Sequence, residues 1–230
     1  NLYLNKYFMK KNLLKIYEGF FDDLDQLNKN QDDGFRGTNA NIYDEHNYIL
    51  SPEKNPEFFE GLCEMCKQEK ITYNENGFTQ KDLNNITCII YNNVSYETYF
   101  KNITSLDELK YFHNLERIYS WSFEACKKLK SIIFPEKNNL IIHDNAFVNC
   151  FSLENLYIPK NIIEIGNYSF AGCFHLKKII ISKNIKKISN TAFYDCVSSL
   201  KEIIIPKNFK NRIEDLFGKI DLSKVNITYI

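Results

Sequence analysis

Hydrophobic and polar residues follow a pattern that returns at a fixed interval through the second half of the chain. Each unit opens with an isoleucine, continues with a small residue and a phenylalanine, and reaches a cysteine three residues later. A leucine and an apolar, β-branched run then close the unit. The repeated cysteines, Cys126, Cys150, Cys173 and Cys196, are spaced by 24, 23 and 23 residues. The matching phenylalanines are Phe123, Phe147, Phe170 and Phe193, and the leucines are Leu129, Leu153, Leu176 and Leu200.

This periodicity predicts an α/β repeat solenoid with parallel β-strands and short helical turns. A unit of this length cannot bury its own apolar face, whereas stacked neighbours bury it as continuous ladders. The closing runs LKSIIF, LENLYI, LKKIII and LKEIII suit short parallel strands, and the AF-x-x-C stretches suit single helical turns. The cysteines at the repeat positions are interpreted as small buried hydrophobic residues. A weaker fifth unit, SLDELKYFHNLERI, comes first, with Phe112 at the cysteine position and Leu115 at the leucine position.

The first hundred residues have a different, mostly helical pattern. Helical spacing of apolar residues runs from Asn1 to about Asn30, and the stretch QDDGFRGTN interrupts it. A second helix is predicted from Pro56 through FFEGLCEMCKQ, and a third from the N-cap Thr79 through QKDLNNI. The runs ITCIIY and Val225–Ile230 are predicted to be strands.

These patterns divide the chain into two predicted domains. Residues 1–99 form a helical N-terminal cap region, and residues 100–230 form the repeat domain with its own C-terminal cap. The tail after Pro206 is expected to close the far end, because the terminal ladders of a solenoid need such covers.

The motif Ile-x-x-x-Ala/Ser-Phe-x-x-Cys-x-x-Leu-x-x-Ile-x-Ile-Pro resembles the BspA-like class of leucine-rich repeats over about residues 100–210. The lead-in Ile103-TSLDELKYFHNLERI is similar to the entry segment of bacterial members of that class. The resemblance implies a surface protein of the kind found in bacteria and parasitic protists, which adheres to host or partner macromolecules.

Composition and charge exclude several classes of partner. The 29 basic and 29 acidic residues cancel, so electrostatics gives no support for nucleic acid or an anionic membrane as a partner. No apolar stretch reaches 18 residues, so membrane insertion is not expected. The N-terminus lacks the pattern of a signal peptide, and the chain begins with Asn1, which indicates a fragment or a processed product.

The chemistry-bearing residues do not form a recognised catalytic motif. The sequence has no G-x-S-x-G, P-loop or H-E-x-x-H motif, and its four histidines are scattered, so we expect a non-enzyme without cofactor or metal. Cys63 and Cys66 form a C-x-x-C pair that could serve a metal or redox site. However, no second ligand pair lies nearby, and at this spacing on a helix both thiols can face the core.

The segment from Asn74 to Gly77 is the other candidate metal site. The resemblance to bacterial entry segments, which often carry an EF-hand-like calcium loop, suggests calcium here. Thr72 and Leu83 then occupy loop positions 1 and 12, where carboxylates are needed. A degenerate helix–turn–helix is the favoured interpretation.

The outward face of the closing strands is the predicted ligand surface. Alternation along each strand places an apolar column outside, formed by Ile133, Tyr157, Ile180 and Ile204. A polar column flanks it, represented by Lys130, Glu154, Lys177 and Lys201. An apolar strip with a polar rim is typical of a protein interface. The alternative is that another layer of the same chain covers the strip, and one sequence leaves both open.

The sequence therefore predicts a non-enzymatic binding or adhesion module, at the cell surface or secreted, that recognises a protein or glycan through this sheet face. The alternative is an intracellular scaffold or assembly subunit that uses the same face for protein–protein interaction. A third hypothesis, a calcium-dependent structural module, depends on the segment at Asn74.

Overall fold

The structure is a computed structural model, and it describes residues 49–74, 76–90, 98–196, 199–217 and 222–230. The chain divides into two units, Asn1–Glu45 and His46–Ile230, and every described residue belongs to the second. The helix predicted near the N-terminus lies outside the described residues.

Two helices precede the repeats, and both confirm the sequence prediction. Helix α1 (Pro56–Gln68) begins at Asn55, whose side chain accepts a hydrogen bond from the amide of Phe58. Helix α2 (Gln80–Asn84) begins at Thr79, which forms a reciprocal capping box with Asp82. Among the described helices, none is both long and apolar enough to cross a membrane.

The repeats build two sets of parallel strands. The five-stranded sheet contains, in spatial order, β1 (Cys88–Ile89), β3 (Arg117–Ile118), β5 (Leu140–Ile142), β7 (Ile162–Ile165) and β9 (Lys187–Ile188). On the other side, β2 (Ser105–Leu106) pairs with β4 (Ser131–Ile132). A four-stranded sheet follows, formed by β6 (Asn155–Ile158), β8 (Lys178–Ile181), β10 (Glu202–Ile205) and β11 (Asn226–Tyr229).

The predicted solenoid is confirmed, with one addition. The apolar runs that close the repeats are strands, as predicted, and β11 confirms the predicted C-terminal strand. The opening isoleucine of each repeat also lies in a strand, and these strands form the five-stranded sheet. Each repeat therefore contributes two strands, and its core lies between the two sets of strands.

The weaker fifth unit exists, but the predicted register was wrong. Phe100, and not a residue of the predicted unit, stacks on Phe123 with ring centroids 4.8 Å apart. Strand β2 then pairs with β4. Phe112 and Leu115 lie further along, in the connection that leads into β3. The spacing F-x-x-L-x-x-I repeats the spacing C-x-x-L-x-x-I, so the sequence pattern matched the strand of the wrong sheet.

A ladder of stacked phenylalanine rings forms the centre of the core. Ring centroids of successive members lie between 4.8 and 5.6 Å apart, and the rings from the second member onward are within 15° of parallel. The ladder contains Phe100, Phe123, Phe147, Phe170, Phe193 and Phe217. Each ring thus finds its stacking partner in the neighbouring repeat, which joins the repeats into one core.

The ends of the phenylalanine ladder are covered by helical segments. Phe58 of α1 packs on Phe100, with ring centroids 5.4 Å apart. At the other end, Phe217 belongs to helix α3 (Ile213–Phe217), which follows a 3-10 helix at Lys207–Arg212. Two further 3-10 helices lie at Asp107–Tyr111 and Leu222–Lys224.

The repeat cysteines are buried, as the sequence predicted, and they also make a specific contact. The thiol of each donates a hydrogen bond to the backbone carbonyl of the phenylalanine one repeat earlier, at 2.7 to 3.7 Å. The four are Cys126, Cys150, Cys173 and Cys196. Burial raises the pKa of Cys126 and Cys173 well above the ordinary thiol value, so these side chains remain thiols that pack and donate.

Candidate binding surfaces

Strand register places the predicted apolar column on neighbouring strands, but its members differ in exposure. Tyr157 pairs with Ile180, and Ile180 pairs with Ile204. Ile133 is 40% exposed and Tyr157 is half-buried, whereas Ile180 and Ile204 are only 6% and 0% exposed. The sequence left open whether this column is exposed or is covered by another layer of the chain. The exposed apolar part is limited to Ile133 and Tyr157, at the end nearer to β4.

Ile180 and Ile204 are buried, but they are not part of the main hydrophobic core. Their neighbours Ile179 and Ile203 belong to the continuous hydrophobic core, and Ile180 and Ile204 do not. Thr228 continues the outward column on β11 and is also buried. The C-terminal half of this sheet face is therefore withdrawn from solvent.

The predicted polar column lies along the start of the same strands. Lys130, Lys177 and Lys201 are exposed, and the side chain of Glu154 is 45% exposed. The Lys177 Nζ lies 2.6 Å from the Glu154 Oε2, and this hydrogen bond lowers the pKa of Glu154. Because the pair is exposed, it orders the rim rather than stabilising the fold. We define Ile133, Tyr157, Lys130, Glu154 and Lys177 as the open sheet face.

The C-x-x-C pair lies on α1, as predicted. Cys66 is buried, and burial together with the neighbouring Cys63 raises its pKa to about 12. A thiol with so high a pKa is a poor metal ligand and a poor nucleophile, because both roles need the thiolate. No cluster of three or more His, Cys, Asp or Glu side chains suited to a metal ion occurs among the described residues.

The segment at Asn74 forms a tight turn between the two helices. The amide of Gly77 donates to the carbonyl of Asn74 at 3.1 Å, and the amide of Asn76 donates to the Asn74 Oδ1 at 2.9 Å. Leu83, at the position where a calcium loop needs a bidentate carboxylate, is buried in the core. This geometry agrees with the degenerate turn that the sequence favoured.

Sequence reasoning missed a row of exposed aromatic side chains in the turns that follow the five-stranded sheet. Tyr119 stacks on His143 with ring centroids 4.8 Å apart, and Tyr168 meets Tyr194 edge-on at 5.8 Å. Trp121 is 40% exposed. We call Tyr119, Trp121, Tyr168 and Tyr194 the aromatic row. A signal was present, because Trp121 and Tyr168 both lie three residues after the opening isoleucine of a repeat.

The backbone of the aromatic row is unusual at two positions. Trp121 and Tyr168 have φ values of 66° and 53°, in the left-handed region that bulky side chains rarely adopt. Asn145, at the same position of the repeat between them, has a φ of 59°. Asparagine tolerates this conformation, so the two aromatic residues occupy a position where a smaller side chain would cost less.

Comparison with known proteins assigns the repeats to a known family. The model of the BspA-type leucine-rich repeat region matches residues 61–147 and 140–229, with six copies. Among solved structures, a leucine-rich repeat protein from Bacteroides ovatus is similar, with 23% identity and a TM-score of 0.42. That likeness covers 63% of this chain and 42% of the other, so this chain spans less than half of its length. No curated protein matches the chain.

Proposed function

This chain belongs to the BspA-type leucine-rich repeat family, and from that premise we propose that it is a non-enzymatic binding module. It acts at the cell surface or in secreted form and recognises a protein or glycan partner through the open sheet face. The observation that carries the proposal is the repeat array itself, which presents one strand per repeat side by side and so builds an ordered surface.

The composition of the open sheet face supports a binding role. Ile133 and Tyr157 supply an apolar centre, and tyrosine is enriched at protein interfaces because it combines an apolar ring with a hydroxyl group. Lys130, Glu154 and Lys177 supply a charged rim. An apolar centre inside a charged rim is the usual anatomy of an interface.

The chemistry of the described thiols supports the view that the chain is not an enzyme. None of the seven cysteines is in a disulfide, and those of the repeats are buried. Burial raises the pKa of Cys66, Cys126 and Cys173, which disfavours the reactive thiolate.

A second candidate, an intracellular scaffold or assembly subunit, is favoured by one observation. Seven cysteines in a chain of 230 residues, none of them in a disulfide, suit a reducing compartment, where disulfides are rare. Labelling of intact source cells with a membrane-impermeant reagent, followed by detection of this chain, separates the two candidates. Labelling is expected for the surface module, and detection only after lysis would overturn the surface location.

The binding role is tested by charge substitutions on the open sheet face. The double substitution Ile133→Lys and Tyr157→Lys introduces like charges at two solvent-accessible positions, so we expect it to leave the fold intact. Beads coated with this variant should adhere to host or partner cells several-fold less than beads with the natural chain, because the apolar centre is lost.

The matched control is Glu60→Lys, which introduces a lysine at an exposed position of α1, outside both candidate surfaces. It should adhere like the natural chain. Equal adhesion of the double variant and the natural chain, with both folded by circular dichroism, would place the binding surface elsewhere.

A further inference from the structure

A polar cleft lies at the C-terminal end of the five-stranded sheet, away from the open sheet face. It has a volume of about 450 Å³. Its lining includes Asp144, Asn167, Lys186, Ser189, Asn190 and Arg212. They come from the turns of three successive repeats and from the 3-10 helix after the last one, so the cleft exists only where the array ends.

The floor of the cleft is a chain of hydrogen bonds that runs from repeat to repeat. Asp144 Oδ1 accepts from the amide of Asn167 at 2.6 Å, and Asp144 Oδ2 accepts from the Asn167 Nδ2 at 3.3 Å. Asn167 Oδ1 in turn accepts from the hydroxyl groups of Ser189 and Thr191. These exposed side chains are therefore already oriented, which lowers the cost of ordering them around a ligand.

Gly166 makes this arrangement possible. A Cβ atom at this position would lie 2.6 Å from the backbone nitrogen of Asp144 and would also collide with its carboxylate. The absence of a side chain lets the Asp144 carboxylate approach the backbone of the next repeat, where it meets the amide of Asn167.

Arg212 brings a cation to the end of the cleft. Its Nη2 donates to the carbonyl of Ile188 at 3.1 Å and to the Asn190 side chain. Both bonds use the same nitrogen, and a guanidinium carries five N–H donors in a planar fork that matches a carboxylate. The guanidinium is thus held in a fixed orientation beside the cleft.

The charges that line the cleft leave it weakly cationic. Lys186, Lys187 and Arg212 stand against Asp144 and Glu164, and the Lys187 ammonium is paired with the Glu164 carboxylate. The excess of one positive charge favours a ligand that carries a carboxylate. The amide and hydroxyl groups of the floor suit a ligand that also carries several hydroxyl groups.

The aromatic row begins beside the cleft, because Tyr168 follows Asn167 in the chain. Its ring is 42% exposed and is held on a strained backbone. Trp121 occupies the same position two repeats away, at a distance of roughly 10 Å along the array. The faces of such rings can stack on the C–H surfaces of sugar rings. A peptide that carries a carboxylate has no sugar ring for this contact.

We propose that the cleft and the aromatic row form a carbohydrate-binding site for an acidic glycan. An acidic sugar lies in the cleft, where Arg212 and Lys186 bind its carboxylate and the Asp144–Asn167 floor binds its hydroxyl groups. The following sugar residues run along the aromatic row and stack on Tyr168 and Trp121. This site is separate from the open sheet face, so it can exist whether or not that face binds a partner.

The test is binding to an array that carries sialylated and uronate-terminated oligosaccharides, the same oligosaccharides without their acidic residue, and an acidic polyglutamate peptide. We expect acidic members to be bound and their neutral parents to be bound about tenfold or more weakly, because the charge-assisted bonds are lost. Failure to bind any acidic oligosaccharide, equal binding of the neutral parents, or binding of the peptide alone would overturn the proposal.

Three variants assign the binding to this site. Arg212→Gln and Lys186→Gln should each weaken binding of the acidic members, and Lys186 is exposed, so its substitution does not threaten the fold. Tyr168→Asn should also weaken binding while keeping a residue that tolerates the left-handed backbone, as Asn145 does. The matched control is Lys128→Gln, the same loss of charge at an exposed lysine outside the cleft.

The pattern of losses separates this proposal from the proposed function. The double variant of the open sheet face, Ile133→Lys with Tyr157→Lys, should bind the acidic oligosaccharides like the natural chain. If Lys186→Gln and Tyr168→Asn bind them as tightly as Lys128→Gln does, the cleft is not the site.

Discussion

One turn position of the four cysteine-containing repeats has a left-handed backbone, and its residue type varies. The position lies just before the repeat cysteine, and φ there ranges from 52° to 71°. Three repeats use residue types that tolerate this conformation, namely Asn149, Gly172 and Asp195, and one uses Ala125. A left-handed conformation costs an ordinary L-residue about 1–2 kcal/mol, so Ala125 carries a strain that its counterparts reduce or avoid.

Substitution of this alanine should therefore stabilise the protein. We expect Ala125→Gly to raise the free energy of unfolding by about 0.5–1 kcal/mol, because glycine removes the strain and gives back part of the gain as unfolded-state entropy. Urea denaturation measures the change. The control is Ala146→Gly, where φ is outside the left-handed region and the side chain is buried.

That control should lose about 1 kcal/mol, since it gains only flexibility and loses a buried methyl group. Equal destabilisation by both substitutions would show that Ala125 is not strained.

His143 makes the stability of the fold depend on pH. Burial lowers its pKa below the ordinary value of 6.5, and the Arg117 guanidinium lowers it further, while Asp144 and Glu164 oppose the shift. The unfolded state therefore takes up a proton at a higher pH than the folded state. Stability is retained above the unfolded pKa and is lost as the pH falls through that value toward the folded pKa.

We expect the Tm of the natural chain to fall more between about pH 7.5 and 5.5 than the Tm of His143→Phe. The phenylalanine keeps a ring to stack on Tyr119 but cannot titrate. The remaining histidines are common to both chains, so the difference reports His143 alone. Identical pH dependence in the two chains would contradict the lowered pKa.

At the scale of elements, one contact fixes how α1 covers the first repeat. Gly61 lies on the buried side of the helix, and a Cβ there would lie 2.5 Å from the carbonyl oxygen of Tyr99 and 2.7 Å from the Phe100 ring. The helix can therefore approach the repeat closely enough for Phe58 to reach the phenylalanine ladder. The packing of α1 on the first repeat therefore depends on the absence of a side chain at Gly61.

Gly61→Ala should push the helix away from the repeat. We expect a loss of about 1–3 kcal/mol in the free energy of unfolding, as is typical of an extra carbon in a tight contact. Glu60→Ala is the control, because Glu60 is exposed on the same helix. Chemical denaturation of both variants decides the point, and equal stability would show that the contact can relax without cost.

The elements were predictable to different degrees for identifiable reasons. Helices α1 and α2 were predicted because Pro56 and Thr79 provide clear start signals. Apart from β1, the strands of the five-stranded sheet were not predicted. Most of them have two or three residues, as in Arg117–Ile118, which is too few to show alternation. The register of this sheet comes from stacking between repeats, which a local pattern cannot show.

At the scale of the molecule, the sequence pattern predicted part of the candidate surfaces. The alternation along each strand correctly grouped Tyr157, Ile180 and Ile204 into one column, because the period of a strand is two. It could not indicate that Ile180 and Ile204 are buried, since a strand pattern does not show what lies above a sheet. The polar cleft was also invisible, because Arg212 lies outside the repeat pattern.

The direction of the backbone hydrogen bonds gives the array a mechanical property. The bonds between β6, β8 and β10 point along the stack of repeats, from one repeat to the next. A pull along the stack therefore loads the few bonds at one junction directly, and the repeats should detach one after another from an end. Each detached repeat of about 23 residues releases on the order of 75 Å of chain. An attached partner would thus be held by an extensible tether that yields in steps instead of breaking at once.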